Sequence, residues 1–350
     1  MHTRCIKYPL KFKPIFKQTI WGGNRFAEFM SGLDTSVVDM PAGVSIGECW
    51  GISVVPGYES VVLNGDYKGE RFSELVALHA QSLLGRRSVS IFGNEFPLLV
   101  KFIDAAKDLS VQVHPNDMLA RSRHNCNGKT EMWYVVDAAE GASLSTGFRC
   151  NISKEEFEKL SGREIVGLLE KFEIKQGDMF YLPAGTVHSI GAGAFIAEIQ
   201  QSSDITYRIY VYDRRDASGR TRELHTQLAL DAIDFDVKGS QCRIGYKAKK
   251  YQSSNLWNCA AEVVKGEIFS TSVIELDAVQ SSIGVYDFNY EHLESFVIFT
   301  CMEGKADIRY NESSNVSIAR GEVVLLPAEL GKVTVVLPSG GKCKFLETHI

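Results

Sequence analysis

The sequence predicts a mainly β protein, built as two jelly-roll β-barrels with short helical insertions. Three observations lead there. Period-two alternation and short apolar runs recur along the chain, as at Leu109–His114, Glu131–Val136 and Phe96–Asp104. Helical periodicity is confined to a few brief segments. A stretch at 174–190, IKQGDMFYLPAGTVHSI, is echoed at 318–335, IARGEVVLLPAELGKVTV, so two related units are expected. A chain of 350 residues has room for both, and the division is expected at 1–238 and 239–350.

Taken in order, Trp21-Gly22-Gly23 reads as a tight turn and Val44–Ser53 as a strand with Glu48 and Trp50 on one face. Glu48 is then either a group supporting a buried site or an edge carboxylate in water. Residues 69–86 place Phe72, Leu75, Leu78 and Leu83 at helical spacing, which predicts an amphipathic helix ending near Gly85. Phe96–Asp104 is a nearly continuous apolar run, hence a buried strand. Lys101 in its middle needs a partner if buried; the commoner outcome is an ammonium that reaches out to water. Pro115, Asn116 and Asp117 end the next strand in a turn. Ser153 with Glu156 forms a capping box, and residues 153–172 read as two short helices broken at Gly162. Strands return from Glu173 to Tyr212, and residues 229–235 add a helical turn or two.

Composition narrows the partners. Net charge is −5 and no basic block interleaves with aromatics, which argues against nucleic acid. No apolar run approaches the roughly eighteen residues of a membrane span, and the start lacks the apolar core of a secretion signal. Eight cysteines are scattered with no C-x-x-C, as expected of reduced thiols, so a cytoplasmic location is predicted.

The chemistry gathers around 109–131. On the Leu109–His114 strand Val111 and Val113 face one way, Gln112 and His114 the other. Glu131 shares a face with Trp133 and Val135, and His188 follows a Pro-x-Gly turn. Gln112, His114, Glu131 and His188 thus form an N/O donor set displayed from strands, of a kind that suits one Zn²⁺ with a position left for substrate. Any one histidine alone is more often surface or satisfied core. The spacing of Gly177, Pro183, Gly185 and His188 is that of the second cupin motif, and Gln-x-His with a later Glu resembles a variant of the first. The later copy keeps Gly321 and Pro327 but carries Glu329 and Lys332 in place of the Gly–His pair; an ammonium cannot ligate a cation, so this copy is expected to be metal-free. Arg208, Tyr210 and Tyr212 are expected on one strand face. Arg208 would hold a phosphate or an anionic intermediate, or else pair with Asp204 or Glu198 outside the barrel. Lys129, two residues before Glu131, is a second cation within reach of substrate.

FKPIFKQTIWGG, IGECWGIS, FPLLVKFIDAAKDLSVQVHPND, GKTEMWYVVDA, GDMFYLPAGTVHSIGAG and EIQQSSDITYRIYVYDR run nearly end to end. With them the sequence resembles the type I mannose-6-phosphate isomerases (phosphomannose isomerases) in their short bacterial form. The resemblance implies a zinc-dependent aldose–ketose isomerase acting on mannose 6-phosphate and fructose 6-phosphate. It implies Gln112, His114, Glu131 and His188 as metal ligands, Arg208 as an active-site arginine and Lys129 as a pocket lysine. Val211 departs from the family, where many members carry Asp; it sits across the strand from Arg208 and should affect packing more than chemistry. The base that moves the substrate proton stays open among Glu198, Asp204, Lys129 and a metal-bound water. Two other readings share the donor set: an Fe(II) or Mn(II) cupin dioxygenase, and a cupin that binds sugar without turnover.

Overall fold

The computed structural model describes residues 6–33, 38–215, 219–245, 249–253, 256–281 and 284–350. Cys5 and the four residues before it lie outside them. The protein is mainly β, and its strands form three antiparallel sheets. Among the described residues no helix is long and apolar enough to cross a membrane.

The seven-stranded sheet runs, in spatial order, Arg243–Ile244, Met179–Leu182, Glu131–Ala138, Ala194–Gln201, Leu98–Asp104, Ile46–Ile52, Ile15–Gly23. Strict alternation sends its side chains to two different cores. Trp133, Val135, Ile103 and Ile196 face into a barrel, while Met132, Tyr134, Val100, Phe102 and Ile199 face the C-terminal half. Burial on both faces is why Leu98–Asp104 reads as unbroken apolar sequence. The barrel is closed by a five-stranded sheet ordered Tyr207–Tyr210, Val111–Val113, His188–Ile190, Ser143–Phe148, Leu169–Glu173. Its outer face, with Val111, Val113 and Ile209, packs under Phe157, Ile165 and Leu230 of the short helices. Its inner face adds Leu144 and Ile190 to the barrel core and carries Gln112 and His188.

The remaining strands form a ten-stranded sheet around a separate core that includes Phe299, Ile308, Val335 and Phe345. The internal repeat is visible in register. Glu131 pairs with Leu182 as Val297 pairs with Leu326, and Gly177 and Gly321 turn at φ +88° and +90°. His188 and Lys332 each open the strand that follows the turn. Lys332 forms a surface ion pair with Glu291 at 2.9 Å, and Glu329 meets Lys7 at 3.5 Å.

Several elements depart from expectation. Trp21–Gly23 is the end of a strand, not a turn. The helix that begins at Phe72 does break at Gly85, and a second helical stretch follows it to Phe92. Gly85 takes φ +86°, and a Cβ there would lie 2.2 Å from the Glu294 carbonyl oxygen, so both the backbone angle and the close approach call for glycine. His79 is also non-helical, which rotates the apolar face and leaves Leu78 69% exposed. The second of the two predicted helices ends at Leu168, and Leu169–Glu173 forms an edge strand against Ser143–Phe148. Asp117–His124 is a helix where a turn alone is expected; the Asn116 side chain caps it by accepting from the Leu119 N–H at 2.9 Å. The strand carrying Arg208 stops at Tyr210, and a register shift between the two breaks the expected shared face. Tyr210 packs on the helical side of the sheet, and the Tyr212 hydroxyl reaches Ser189 at 3.3 Å.

Candidate metal centre

Cross-strand register brings the predicted donors together. His188 pairs directly with Gln112, and Gln112 with Arg208 on its other side. Glu131 opens its strand on the facing sheet. The His114 and His188 rings lie with centroids 4.8 Å apart, and all three residues are buried. Glu131 Oε2 is 3.5 Å from His114 Nε2, and its Oε1 is 3.4 Å from His188 Nε2. Gln112 Nε2 completes the group 3.2 Å from His188 Nε2.

The imidazoles are fixed from behind. His114 Nδ1 bonds the Ile205 carbonyl at 2.9 Å and His188 Nδ1 the Thr186 carbonyl at 2.8 Å. Each Nδ1 therefore carries the proton, and each Nε2 lone pair points inward. Burial, then the nearby Lys129 ammonium, lowers both imidazoles: His114 well below its ordinary range and His188 to about 3. Both are neutral at physiological pH, as a ligand must be. Glu131 Oε1 is buried and accepts no hydrogen bond. Burial and the neighbouring Glu198 carboxylate push the Glu131 carboxyl well up. A buried carboxylate oxygen without a donor, aimed at two imidazole lone pairs, asks for a cation. The Lys129 ammonium supplies one charge: it donates to Glu131 Oε2, to His114 Nε2 at 2.9 Å and to Glu198 Oε1 at 3.3 Å. His114, Glu131 and His188 can hold a metal ion.

A second layer of ion pairs lies beside this set. Lys101 does not reach water; it is 6% exposed and its Nζ lies 2.9 Å from Glu198 Oε2 and 3.7 Å from Glu48 Oε2. Burial alone would raise the Glu198 carboxyl, but Lys101 and Lys129 hold it well below the usual carboxylate range. Trp133 Nε1 donates to Glu198 Oε1 at 3.3 Å and stands edge-on to His188. Glu48 accepts from Trp50 Nε1 at 2.6 Å and lines the cavity, so it is not an edge group in water.

The cavity has a volume of about 750 Å³, and Gln112, Lys129, Lys101, Glu198, Asp204 and Arg208 stand on its wall. Arg208 makes no ion pair with Asp204 or Glu198; its guanidinium is half-buried in the cavity wall. Arg222 also lines the cavity and was not foreseen. It lies in a polar stretch, TRELH, that carries no periodic signal.

A jelly-roll barrel enclosing two neutral imidazoles, a carboxylate and an amide beside a cation-rich cavity defines a cupin-type protein with a metal-competent centre. Residues 10–142 match the family model for the catalytic domain of type I phosphomannose isomerase. The chain is 43% identical over 227 residues to the mannose-6-phosphate isomerase ManA of Bacillus subtilis, covering 65% of this chain and 68% of that protein. It is 33% identical over 349 residues to the putative mannose-6-phosphate isomerase YvyI of the same organism, covering 98% and 99% of the two chains. The crystal structure of a mannose 6-phosphate isomerase from Bacillus subtilis superposes with a TM-score of 0.82 at 33% identity, over 98% of this chain and all of that one. The chain belongs to the type I phosphomannose isomerase family, a family of isomerases.

Proposed function

We propose that this protein is a zinc-dependent aldose–ketose isomerase that interconverts mannose 6-phosphate and fructose 6-phosphate through a cis-enediol. The observation that carries the reading is the inward convergence of Gln112, His114, Glu131 and His188. Bonds of about 2.0–2.2 Å at tetrahedral angles put neighbouring ligand atoms roughly 3.4 Å apart. The spacings of 3.5 and 3.4 Å from the Glu131 oxygens to the two imidazole nitrogens agree with that. One zinc per chain would be held by these four residues, with the Gln112 amide turned so that its oxygen faces in.

Zinc, when bound, supplies Lewis-acid polarisation of the substrate oxygens and so lowers the cost of removing the C2 proton. The protein's own groups do the rest. Lys129 is the cation that offsets the negative charge developing on the enediol, a preorganised effect typically of about 2.7–4 kcal/mol per donor, and Arg208 is the cation for the substrate's phosphate. Lys129, with three acceptors around it, serves as a hydrogen-bond donor at this end of the cavity. Glu198, kept ionised by two lysines, fixes the Lys129 ammonium toward His114 and Glu131. Trp133 and the apolar barrel core keep water from this end of the cavity. We assign residues 1–238 to the catalytic unit and 239–350 to a second, structural barrel without a metal role. A small sugar phosphate as partner and a cytoplasmic location complete the proposal; neither nucleic acid nor membrane has a place in it.

The test is conversion of mannose 6-phosphate followed by a coupled fructose 6-phosphate assay, before chelation, after it and after zinc is restored. Activity should vanish and return. Iron-dependent oxygen uptake without isomerisation would favour the dioxygenase reading, and binding of mannose 6-phosphate without turnover the sugar-binding one.

A further inference from the structure

Five cationic side chains line the cavity: Lys17, Lys101, Lys129, Arg208 and Arg222. Three already have partners. Lys101 is paired with Glu198 and Glu48, and Lys129 donates to His114, Glu131 and Glu198. Lys17 lies over the Trp50 and Tyr58 rings at 4.0 and 4.1 Å and 3.6 Å from Asp204. The guanidinium groups of Arg208 and Arg222 are different. Among the described residues neither makes a hydrogen bond or an ion pair, and Arg208 Nε is buried with no acceptor.

Their proximity follows from the chain path. After Tyr210 the backbone turns through two left-handed residues, Tyr212 and Asp213, and a bridge between Arg215 and Thr221 returns it. The returning segment is then stapled to Arg208. The His225 N–H donates to the Arg208 carbonyl at 2.7 Å, and the Arg208 N–H donates to His225 Nδ1 at 3.1 Å. Arg222, three residues before that staple, is thereby brought to the cavity wall. Burial first and the Arg222 charge second depress the Arg208 guanidinium. The Asp204 and Glu223 carboxylates act on Arg208, and that of Glu48 on Arg222, without a hydrogen bond to either guanidinium, so two like charges stand near one another where an anion between them would be favoured.

We propose that Arg222 is the specificity-determining residue for the substrate's phosphate, closing a two-guanidinium clamp with Arg208. This rests on the isomerase reading above for the identity of the substrate. A phosphate monoester carries nearly two negative charges at neutral pH, and its oxygens suit the planar guanidinium fork. The clamp stands beside Gln112, about one strand spacing of ~4.8 Å from it through the Arg208–Gln112 pair. The sugar's reacting carbons then fall toward His114, Glu131 and His188 and its phosphate toward Arg222. Lys129, 4% exposed and already surrounded by acceptors, is left to the chemical end.

The experiment compares wild type, Arg222→Ala and Arg222→Lys as metal-replete full chains. Calorimetric titration uses inorganic phosphate and mannose 6-phosphate, alongside steady-state isomerase kinetics. Arg222→Ala should bind both ligands at least tenfold more weakly and raise KM by more than it lowers kcat. Arg222→Lys should recover part of the loss, and the thermal midpoints should agree because the side chain is at the surface. Unchanged phosphate and mannose 6-phosphate affinity in Arg222→Ala would overturn the clamp. A wild type that binds phosphate through Arg222 but does not isomerise mannose 6-phosphate would leave the clamp standing and remove the isomerase reading instead.

Discussion

Lys101 and Glu198 face each other across neighbouring strands in direct register, with Nζ 2.9 Å from Oε2 and both side chains buried. The pair links the barrel wall to the donor set, since Glu198 also receives Lys129 and Trp133. Removing one member of a buried ion pair strands the other in a low-dielectric interior. Lys101→Met should therefore lower unfolding stability, by less than the about 3–5 kcal/mol of a fully stranded charge because Glu198 keeps Lys129. Adding Glu198→Gln should recover part of that loss, because the stranded charge is gone. Denaturant unfolding of the two variants checks this; additive losses would show that the two groups are not coupled.

The imidazoles of His114 and His188 are held by main-chain carbonyls, so each can be removed without disturbing the other's tautomer. His114→Ala and His188→Ala should each abolish stoichiometric zinc in dialysed protein, read by elemental analysis. Zinc at a hundredfold over its Kd should stabilise wild type by about 2.7 kcal/mol and leave both variants unmoved. Equal zinc-induced stabilisation in wild type and variants would remove the assignment.

The convergence of Gln112, His114, Glu131 and His188 is legible because these residues sit in motifs whose spacing is fixed by turns: Gly177, Pro183 and Gly185 set where His188 begins its strand. Alternation along Leu109–His114 and Glu131–Val136 gave the faces correctly for the same reason. The partner of Lys101 was not legible, since nothing local says which distant strand will lie beside it. Leu169–Glu173 was misread because LEKFE satisfies helix propensity as well as alternation, and pairing with Ser143–Phe148 decides the matter. The Asp117–His124 helix carried a readable signal in its Asn116 cap that was spent on a turn instead. Arg222 left no trace, because its place depends on a staple between His225 and Arg208 that only the folded chain creates.

Register equivalence adds a pH prediction. Glu347 pairs with Phe299 in the C-terminal sheet as Glu198 pairs with Trp133 in the first barrel. Among the described residues Glu347 makes no ion pair with a lysine; it accepts from the Tyr290 hydroxyl, and burial pushes its carboxyl up to about 7. The folded protein therefore keeps a proton that the unfolded chain releases near its ordinary value of 4.5. The stability this proton contributes is full below pH ~4.5, declines as pH rises toward ~7 and is absent above, at no more than about 1.4 kcal/mol per pH unit. Glu347→Gln should flatten the fall in unfolding free energy between pH 5 and 7. Parallel pH profiles for wild type and variant would count against it.

The two halves share a core, which bears on whether the first can stand alone. Leu10–Lys11 pairs with Leu325 and Val324 of the C-terminal sheet, far along the chain. The Phe96 and Phe296 rings meet at a tilt with centroids 5.1 Å apart, and a Cβ on Gly51 would strike Val323. The outward face of the seven-stranded sheet, including Met132, Val100 and Ile199, is covered by the same cluster as Ile298, Leu325 and Leu346. Removing residues 239–350 would expose that face. Each large apolar side chain returned to water costs about 1.5–3 kcal/mol, so these three alone cost roughly 4.5–9 kcal/mol. That is comparable with the whole stability of a typical domain, about 5–15 kcal/mol. The 1–238 fragment should therefore be insoluble or lack cooperative unfolding, judged by sedimentation and thermal melts. A soluble fragment with full isomerase activity would mean that the second barrel contributes nothing essential to the first.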